Sequence, residues 1–177
     1  PHHIWSASIN LTNPNLIYNI HKKYIDAGAD YITTNTFRTT TRSYLKTGLS
    51  RNEAKNQALN SLSSALEMAH KARENTKVKI LGSIAPLEDC YSPELFPGIK
   101  KSSEEFKQIG QWLHESNIDI YLMETMNSIA ETKTCLNEIV FLMISKGFGY
   151  CFLKLDDKLQ VSPKALDRFS NSRSTIS

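Results

Sequence analysis

Glycine is scarce, at 7 of 177 residues, and neither GxGxxG nor GxxxxGK occurs. Those glycines let a backbone cradle phosphates, so nothing here points to a dinucleotide or P-loop site. Cysteine is equally sparse. Cys90, Cys135 and Cys151 are odd in number and far apart, with no CxxC and no His pair at metal-ligand spacing beside a Cys. That argues against a disulfide framework and for a reduced, cytoplasmic setting. No apolar run approaches the roughly 18 residues of a membrane span, and no membrane partner is expected. An excess of one charge is missing too. Lys and Arg number 21 against 18 Asp and Glu, a net charge of +3, and Lys100-Lys101 has Glu104 and Glu105 close by. A nucleic-acid footprint would gather basic residues on one face, so no nucleic acid is expected. The opening residues have no signal-peptide regions and no initiator Met. A start inside a longer reading frame, or after processing, is expected.

What is present reads as one globular domain. Hydrophobic residues make up 40% of the chain and charged residues 22%, which is incompatible with wholesale disorder. Asn13-Pro14 predicts a helix start, with Leu16, Ile17, Ile20, Tyr24 and Ile25 on one face and Gly28 at its end. Tyr31 to Thr34 predicts a short buried strand. Ser50 and Glu53 form a capping box, followed by the small-residue stripe Ala54, Ala58, Leu62, Ala65 and Ala69. A second strand is expected over Val78 to Ser83, then a long loop to about Lys101. A second capping box, Ser102 to Glu105, would open a helix with Phe106, Ile109, Trp112 and Leu113 inward. A third strand follows over Ile118 to Met123. Ser128 and Glu131 form a third box, whose helix runs through Leu136, Ile139, Val140 and Met143 to Gly147. Tyr150 to Leu155 is the fourth strand, and the chain turns polar after Val161.

Helices between all four strands imply parallel crossovers. Two architectures fit: part of a (β/α)8 barrel, or a small doubly wound sheet. A barrel takes about 250 residues, so four strands would be roughly half of one. In both, chemistry collects where strands end. There the sequence offers Thr34-Asn35-Thr36-Phe37-Arg38, then Gly82-Ser83-Ile84-Ala85-Pro86, then Glu124-Thr125-Met126-Asn127. The threonines and Asn35 could simply satisfy loop backbone, and Gly82 with Pro86 could be a tight strand exit. Glu124 is harder to dismiss, since a carboxylate at a buried sheet edge needs donors or a cation. It would suit the ammonium of an amino-acid-like substrate. The histidines carry less. His2 and His3 are terminal, His21 and His70 lie within helices, and His114 sits near a helix C-terminus. Cys90 lies beside Glu88 and Asp89, which would raise its pKa and argue against a nucleophile.

Taken in order, these stretches resemble a family. Trp5-Ser6-Ala7, Tyr24 to Asp30, Ile32 to Phe37, Gly82 to Pro86, and Asp119 to Thr125 followed by Glu131 are similar to the N-terminal part of homocysteine S-methyltransferases. Ala85 to Tyr91 looks like a branch of that family with a longer, more acidic loop. The similarity runs to about Leu159. It implies a (β/α)8 TIM barrel, about half of it represented here as strands two to five, making residues 1–177 one partial homocysteine-binding domain. It also implies transfer of a methyl group to the homocysteine thiol to give methionine. Zinc, held by cysteines, would make the thiolate. By the resemblance Glu124 holds the substrate amino group, Asn35 and Thr36 face the substrate mouth, and Arg38 lies on the methyl-donor side. Homocysteine and a methyl donor are the implied partners; the donor itself is not implied.

The departures are equally specific. The family's zinc cysteines, one after an Asn and two as a pair, have no counterpart, and Cys90, Cys135 and Cys151 do not map onto them. No metal ligand is therefore expected in this chain, although zinc is implied for the complete domain. The family's first strand is missing as well. Three readings follow: a methyltransferase domain whose zinc half lies elsewhere, a non-catalytic remnant acting as a binding or assembly module, or an unrelated doubly wound binding domain. A half barrel would expose apolar edges, so self-association is expected.

Overall fold

The computed structural model describes residues 4–145 and the backbone of residues 151–154. A 3-10 turn at Trp5–Ser8 leads into a short helix, α1 (Ile9–Thr12), and then α2 (Pro14–Asp26). Strand β1 (Tyr31–Thr33) is followed by α3 (Thr41–Leu45) and the long α4 (Arg51–Arg73). Strand β2 (Lys79–Ile84), α5 (Ile99–Glu115), β3 (Ile120–Glu124), α6 (Ile129–Ser145) and β4 (Cys151–Lys154) complete the order. The expected strands are all found, shifted by one or two residues; residues 150 and 155, Gly147 and the polar tail lie outside the described residues.

The sheet topology is consistent with the first of the two architectures, a segment of a barrel. All four strands are parallel, in the order β1-β2-β3-β4. A doubly wound sheet reverses its order at a switch point. Here every crossover steps one strand in the same direction, as in a segment of a barrel.

The two faces of the sheet differ. Register pairs Ile32 with Ile80, Gly82 with Tyr121, and Ile84 with Met123. These side chains are buried under the helices with Leu62, Leu66, Phe106, Ile109 and Leu113. Glycine suits position 82, because a Cβ there would lie 2.6 Å from Ile118 Cδ1 and force that side chain to shift. The opposite face carries Tyr31, Thr33, Leu81, Ile120 and Glu124, partly or fully exposed, with Tyr31 at 50%, while Ser83 and Leu122 on the same face are buried. Parallel sheets normally bury both faces.

Local reasons for the helices are mostly those expected. Ser50 and Glu53 make a reciprocal capping box on α4, whose alanine stripe is buried against the sheet and α2. Three expectations need correcting. Ser102 does not open a helix: α5 starts at Ile99 after Gly98, whose φ of 85° suits only glycine. Ser102 is buried inside α5, its hydroxyl donating to the Gly98 carbonyl at 2.9 Å. On α2, Ile17 and His21 face α4, while Leu16, Ile20 and Tyr24 are exposed. Finally, Ser128 receives the Glu131 N–H at 3.4 Å, but the Glu131 carboxylate turns to Leu87 N instead of closing the box.

Candidate functional site

The C-terminal ends of β1, β2 and β3 are joined by hydroxyls. Thr36 Oγ1 donates to the Ser83 carbonyl at 2.8 Å. The Ser83 N–H donates to Thr34 Oγ1 at 3.1 Å. Thr36 has only one proton, so the 2.8 Å contact between the two hydroxyls must be Thr34 donating to Thr36. The result is a closed, oriented ring made with the Ser83 backbone, and all three residues are buried. It leaves the Ser83 side chain free for another task. Its hydroxyl donates to Glu124 Oε2 at 2.9 Å, reaching from β2 to the end of β3 on the open face.

Thr125, directly after Glu124, has φ 50°. A β-branched residue there is strained, at a cost of about 1–3 kcal/mol. Such strain persists only where surroundings enforce it, and here it turns the chain sharply at the end of β3.

Asn35 faces a different neighbour. Its Nδ2 donates to the Ser6 carbonyl at 3.0 Å and to Asn10 Oδ1 at 2.8 Å, and its Oδ1 accepts from Ser6 Oγ at 2.8 Å. Asn10 returns a bond to the Asn35 carbonyl at 2.9 Å and reaches Ser61 on α4 at 3.0 Å. Asn35 thus ties the N-terminal turn and α1 to the end of β1.

The long loop after β2 is held from both sides. Glu131 Oε1 accepts from the Leu87 N–H at 2.8 Å, and Asn127 Nδ2 donates to the Cys90 carbonyl at 2.5 Å. Burial is the main force raising the Glu131 pKa; the Leu87 N–H opposes it. Arg42 grips Glu105 with Nε at 2.9 Å and Nη2 at 2.5 Å, and Glu88 with Nη1 at 2.8 Å. Lys46 also pairs with Glu88. Arg38 is buried, its Nη1 on the Glu88 carbonyl at 2.9 Å.

The structure therefore brings Thr36 and Glu124 into one network through Ser83, and places Asn35 behind it. The sequence offers Ser83 only within the strand-end stretch Gly82 to Pro86, and Glu131 only as a helix cap and as part of the resemblance, with no role for either side chain; Asn10 carries no signal of its own.

The zinc implied by resemblance finds no ligands here. Among the described residues no three His, Cys, Asp or Glu side chains gather. Cys135 is buried in α6 and Cys90 lies in the long loop; the Cys151 side chain lies outside the described residues. The described residues do not fit a zinc site. Among them, also, no helix is long and apolar enough to cross a membrane.

Comparison with known proteins agrees with this layout. Homocysteine S-methyltransferase 1 of Arabidopsis thaliana is 24% identical over 182 residues, which cover 93% of this chain and 56% of that protein. Homocysteine S-methyltransferase 1 of Brassica oleracea var. italica is 34% identical over 174 residues, covering 86% and 52%. The homocysteine methyltransferase MmuM from Escherichia coli superposes in its metallated form with a TM-score of 0.70 at 21% identity, over 86% of this chain and 55% of that one. Its oxidized form gives 0.71 at 22%, over 91% and 58%. Those two structures support the fold. The chain spans a little over half the length of these relatives. The sequence profile of homocysteine S-methyltransferases matches residues 1–155, and the chain belongs to the homocysteine S-methyltransferase family.

Proposed function

We propose that this chain carries the amino-group-binding part of an enzyme that transfers a methyl group to the thiol of homocysteine, giving methionine. The supporting observation is the Ser83–Glu124 hydrogen bond at the open end of the sheet, 2.9 Å long. A carboxylate aimed by a buried hydroxyl is suited to an ammonium group. Thr36 contributes by fixing the Ser83 backbone, and Asn35 by fixing the N-terminal segment beside the mouth. In the reaction the homocysteine thiol gives up its proton to solvent, and a bond forms between its sulfur and the methyl carbon. The bond from that carbon to the donor's heteroatom breaks, the heteroatom leaving with the electron pair. On this reading residues 1–177 form one partial domain, strands two to five of a (β/α)8 barrel, acting in the cytoplasm on homocysteine and a methyl donor.

Calorimetric titration with L-homocysteine tests the role of Glu124. Glu124→Gln should weaken binding about tenfold or more, with the urea midpoint unchanged. Equal affinity in the two proteins would sink the assignment.

A second reading is a non-catalytic remnant that acts by assembly. The uncovered sheet face and the exposed Leu16, Ile20 and Tyr24 on α2 and Phe141 and Ile144 on α6 favour it. It expects no methylation of homocysteine by this polypeptide and a concentration-dependent rise in sedimentation coefficient. A monomer that methylates homocysteine would exclude it.

A further inference from the structure

Arg38 and Arg42 lie four residues apart in sequence, and of the two only Arg42 has an ion pair among the described residues. Arg42 presents its Nε and Nη2 edge to Glu105, at 2.9 and 2.5 Å, the side-on fork that matches a carboxylate. Arg38 has the same edge without a hydrogen bond among the described residues. Its Nε is fully buried and unpartnered, and its one bond runs from Nη1 to the Glu88 carbonyl at 2.9 Å. The residue is 6% exposed. Its Cζ lies 5.0 Å from the Trp5 ring centroid and 5.6 Å from that of Phe37, and those rings stack on each other at 5.8 Å. Aromatic faces fix the guanidinium plane.

The neighbouring carboxylates are engaged elsewhere. Glu88 is divided between Arg42 and Lys46, Glu105 is held by Arg42, and Glu131 accepts from Leu87 N. Glu131 feels the Arg38 charge less than that of Glu88 or Arg42. A guanidinium cannot shed its charge at any ordinary pH. A buried cation without a counter-ion is costly, and a ligand that brings one removes the cost.

We infer that the free edge of Arg38, at the end of β1, is a carboxylate subsite that takes the α-carboxylate of an amino-acid ligand. It rests on the reading of Glu124 as an ammonium site for the ligand's identity. Two sources share this chemistry: the homocysteine acceptor, or a methyl donor that is itself an amino acid.

The test is a titration of the intact chain followed by the Arg Nε–H and Trp indole N–H resonances, assigned with Arg38→Lys and Trp5→Phe. Four probes are used: L-homocysteine, 3-aminopropane-1-thiol without a carboxylate, 4-sulfanylbutanoate without an amine, and S-methyl-L-methionine. The Arg38 Nε–H and Trp5 signals should shift with carboxylate probes and stay put with the aminothiol. Arg38→Gln should lose about tenfold or more in affinity for the carboxylates and none for the aminothiol. A shift with homocysteine assigns the subsite to the acceptor, and one with S-methyl-L-methionine alone assigns it to the donor. Equal loss for the aminothiol, full affinity in Arg38→Lys, or no Nε–H shift with any carboxylate would overturn the inference. Should Arg38→Gln fail to fold, the resonance shifts in the unsubstituted chain still decide. Binding of 4-sulfanylbutanoate without homocysteine or the aminothiol would remove the proposed function and keep the subsite. Equal affinity for homocysteine and the aminothiol would do the reverse.

Discussion

Ser83 divides its work between backbone and side chain: its N–H and carbonyl close the ring with Thr34 and Thr36, while its hydroxyl donates to Glu124 at 2.9 Å. The two tasks are therefore separable. Ser83→Ala leaves the ring intact and removes only the donor to Glu124. It should weaken homocysteine binding by about 0.5–1.5 kcal/mol, or about three- to tenfold, with little change in the urea midpoint. Thr36→Val does the opposite: it strips the Ser83 carbonyl and the Thr34 hydroxyl of a buried partner, and should cost about 1–3 kcal/mol of stability. Calorimetry and urea unfolding on both variants check this. A Ser83→Ala protein that loses stability as Thr36→Val does would show that the hydroxyl is structural.

Glu131 gives a second separation, between hydrogen bonding and charge. Its carboxylate is buried and accepts from Leu87 N–H at 2.8 Å. Glu131→Gln keeps an acceptor and should match or exceed the parent at pH 7, whereas Glu131→Ala should cost about 1–3 kcal/mol by orphaning the Leu87 amide. The sign with pH follows from burial, which raises the folded pKa above its ordinary value. The native state then holds a proton that the unfolded state releases, so this residue's contribution falls as pH rises from the ordinary value through the raised one. Urea midpoints across pH 4 to 7 should lose that component in Glu131→Gln. An unchanged slope would refute it.

How far the sequence could go is clearest where its local patterns stopped. Ala54, Ala58, Leu62, Ala65 and Ala69 recur at helical spacing and are buried as that spacing requires. Leu16, Ile20 and Tyr24 recur in the same way but are exposed. Periodicity marks an apolar face without saying what covers it. Strand order is likewise tertiary, so local patterns alone left a half barrel and a doubly wound sheet both open. It was the family resemblance that pointed to the barrel, with which the pairing of β1 to β4 is consistent. The site was half legible. Glu124 stands out as a charge at the end of an apolar strand. Asn35 bonds to Ser6 and Asn10, 29 and 25 residues away, and no local pattern encodes such partners. The Glu131 carboxylate sits at capping-box spacing, yet its bond to Leu87 spans 44 residues.

His21 is buried on the inner face of α2 and its Nε2 is without a partner among the described residues. Burial lowers its pKa from the usual 6.5. The unfolded chain thus takes up a proton that the folded chain resists, so stability is complete above about pH 6.5 and lost as pH falls through the lowered value. His21→Leu removes both the titration and the unmet polar atom. It should be as stable as the parent or up to about 1 kcal/mol more so at pH 7.5, with the advantage growing towards pH 5. Urea unfolding at both values tests this, and an advantage that shrinks on acidification would contradict it.

Packing between β2 and its covering helices offers a test of the sheet itself. A methyl group at Gly82 would meet Ile118 Cδ1 at 2.6 Å and Leu113 Cδ2 at 3.2 Å. Gly82→Ala should therefore cost about 1–3 kcal/mol through overpacking. Ile118→Val deletes the offending Cδ1, and by itself costs about 0.5–1.5 kcal/mol as a buried truncation. Combined, the new methyl occupies the space that the old one vacated, so the double variant should be more stable than the sum of the two single costs by about 1 kcal/mol or more. Additive costs in urea unfolding would mean that Gly82 does not face Ile118, and the strand register that places Ser83 towards Glu124 would fall with it.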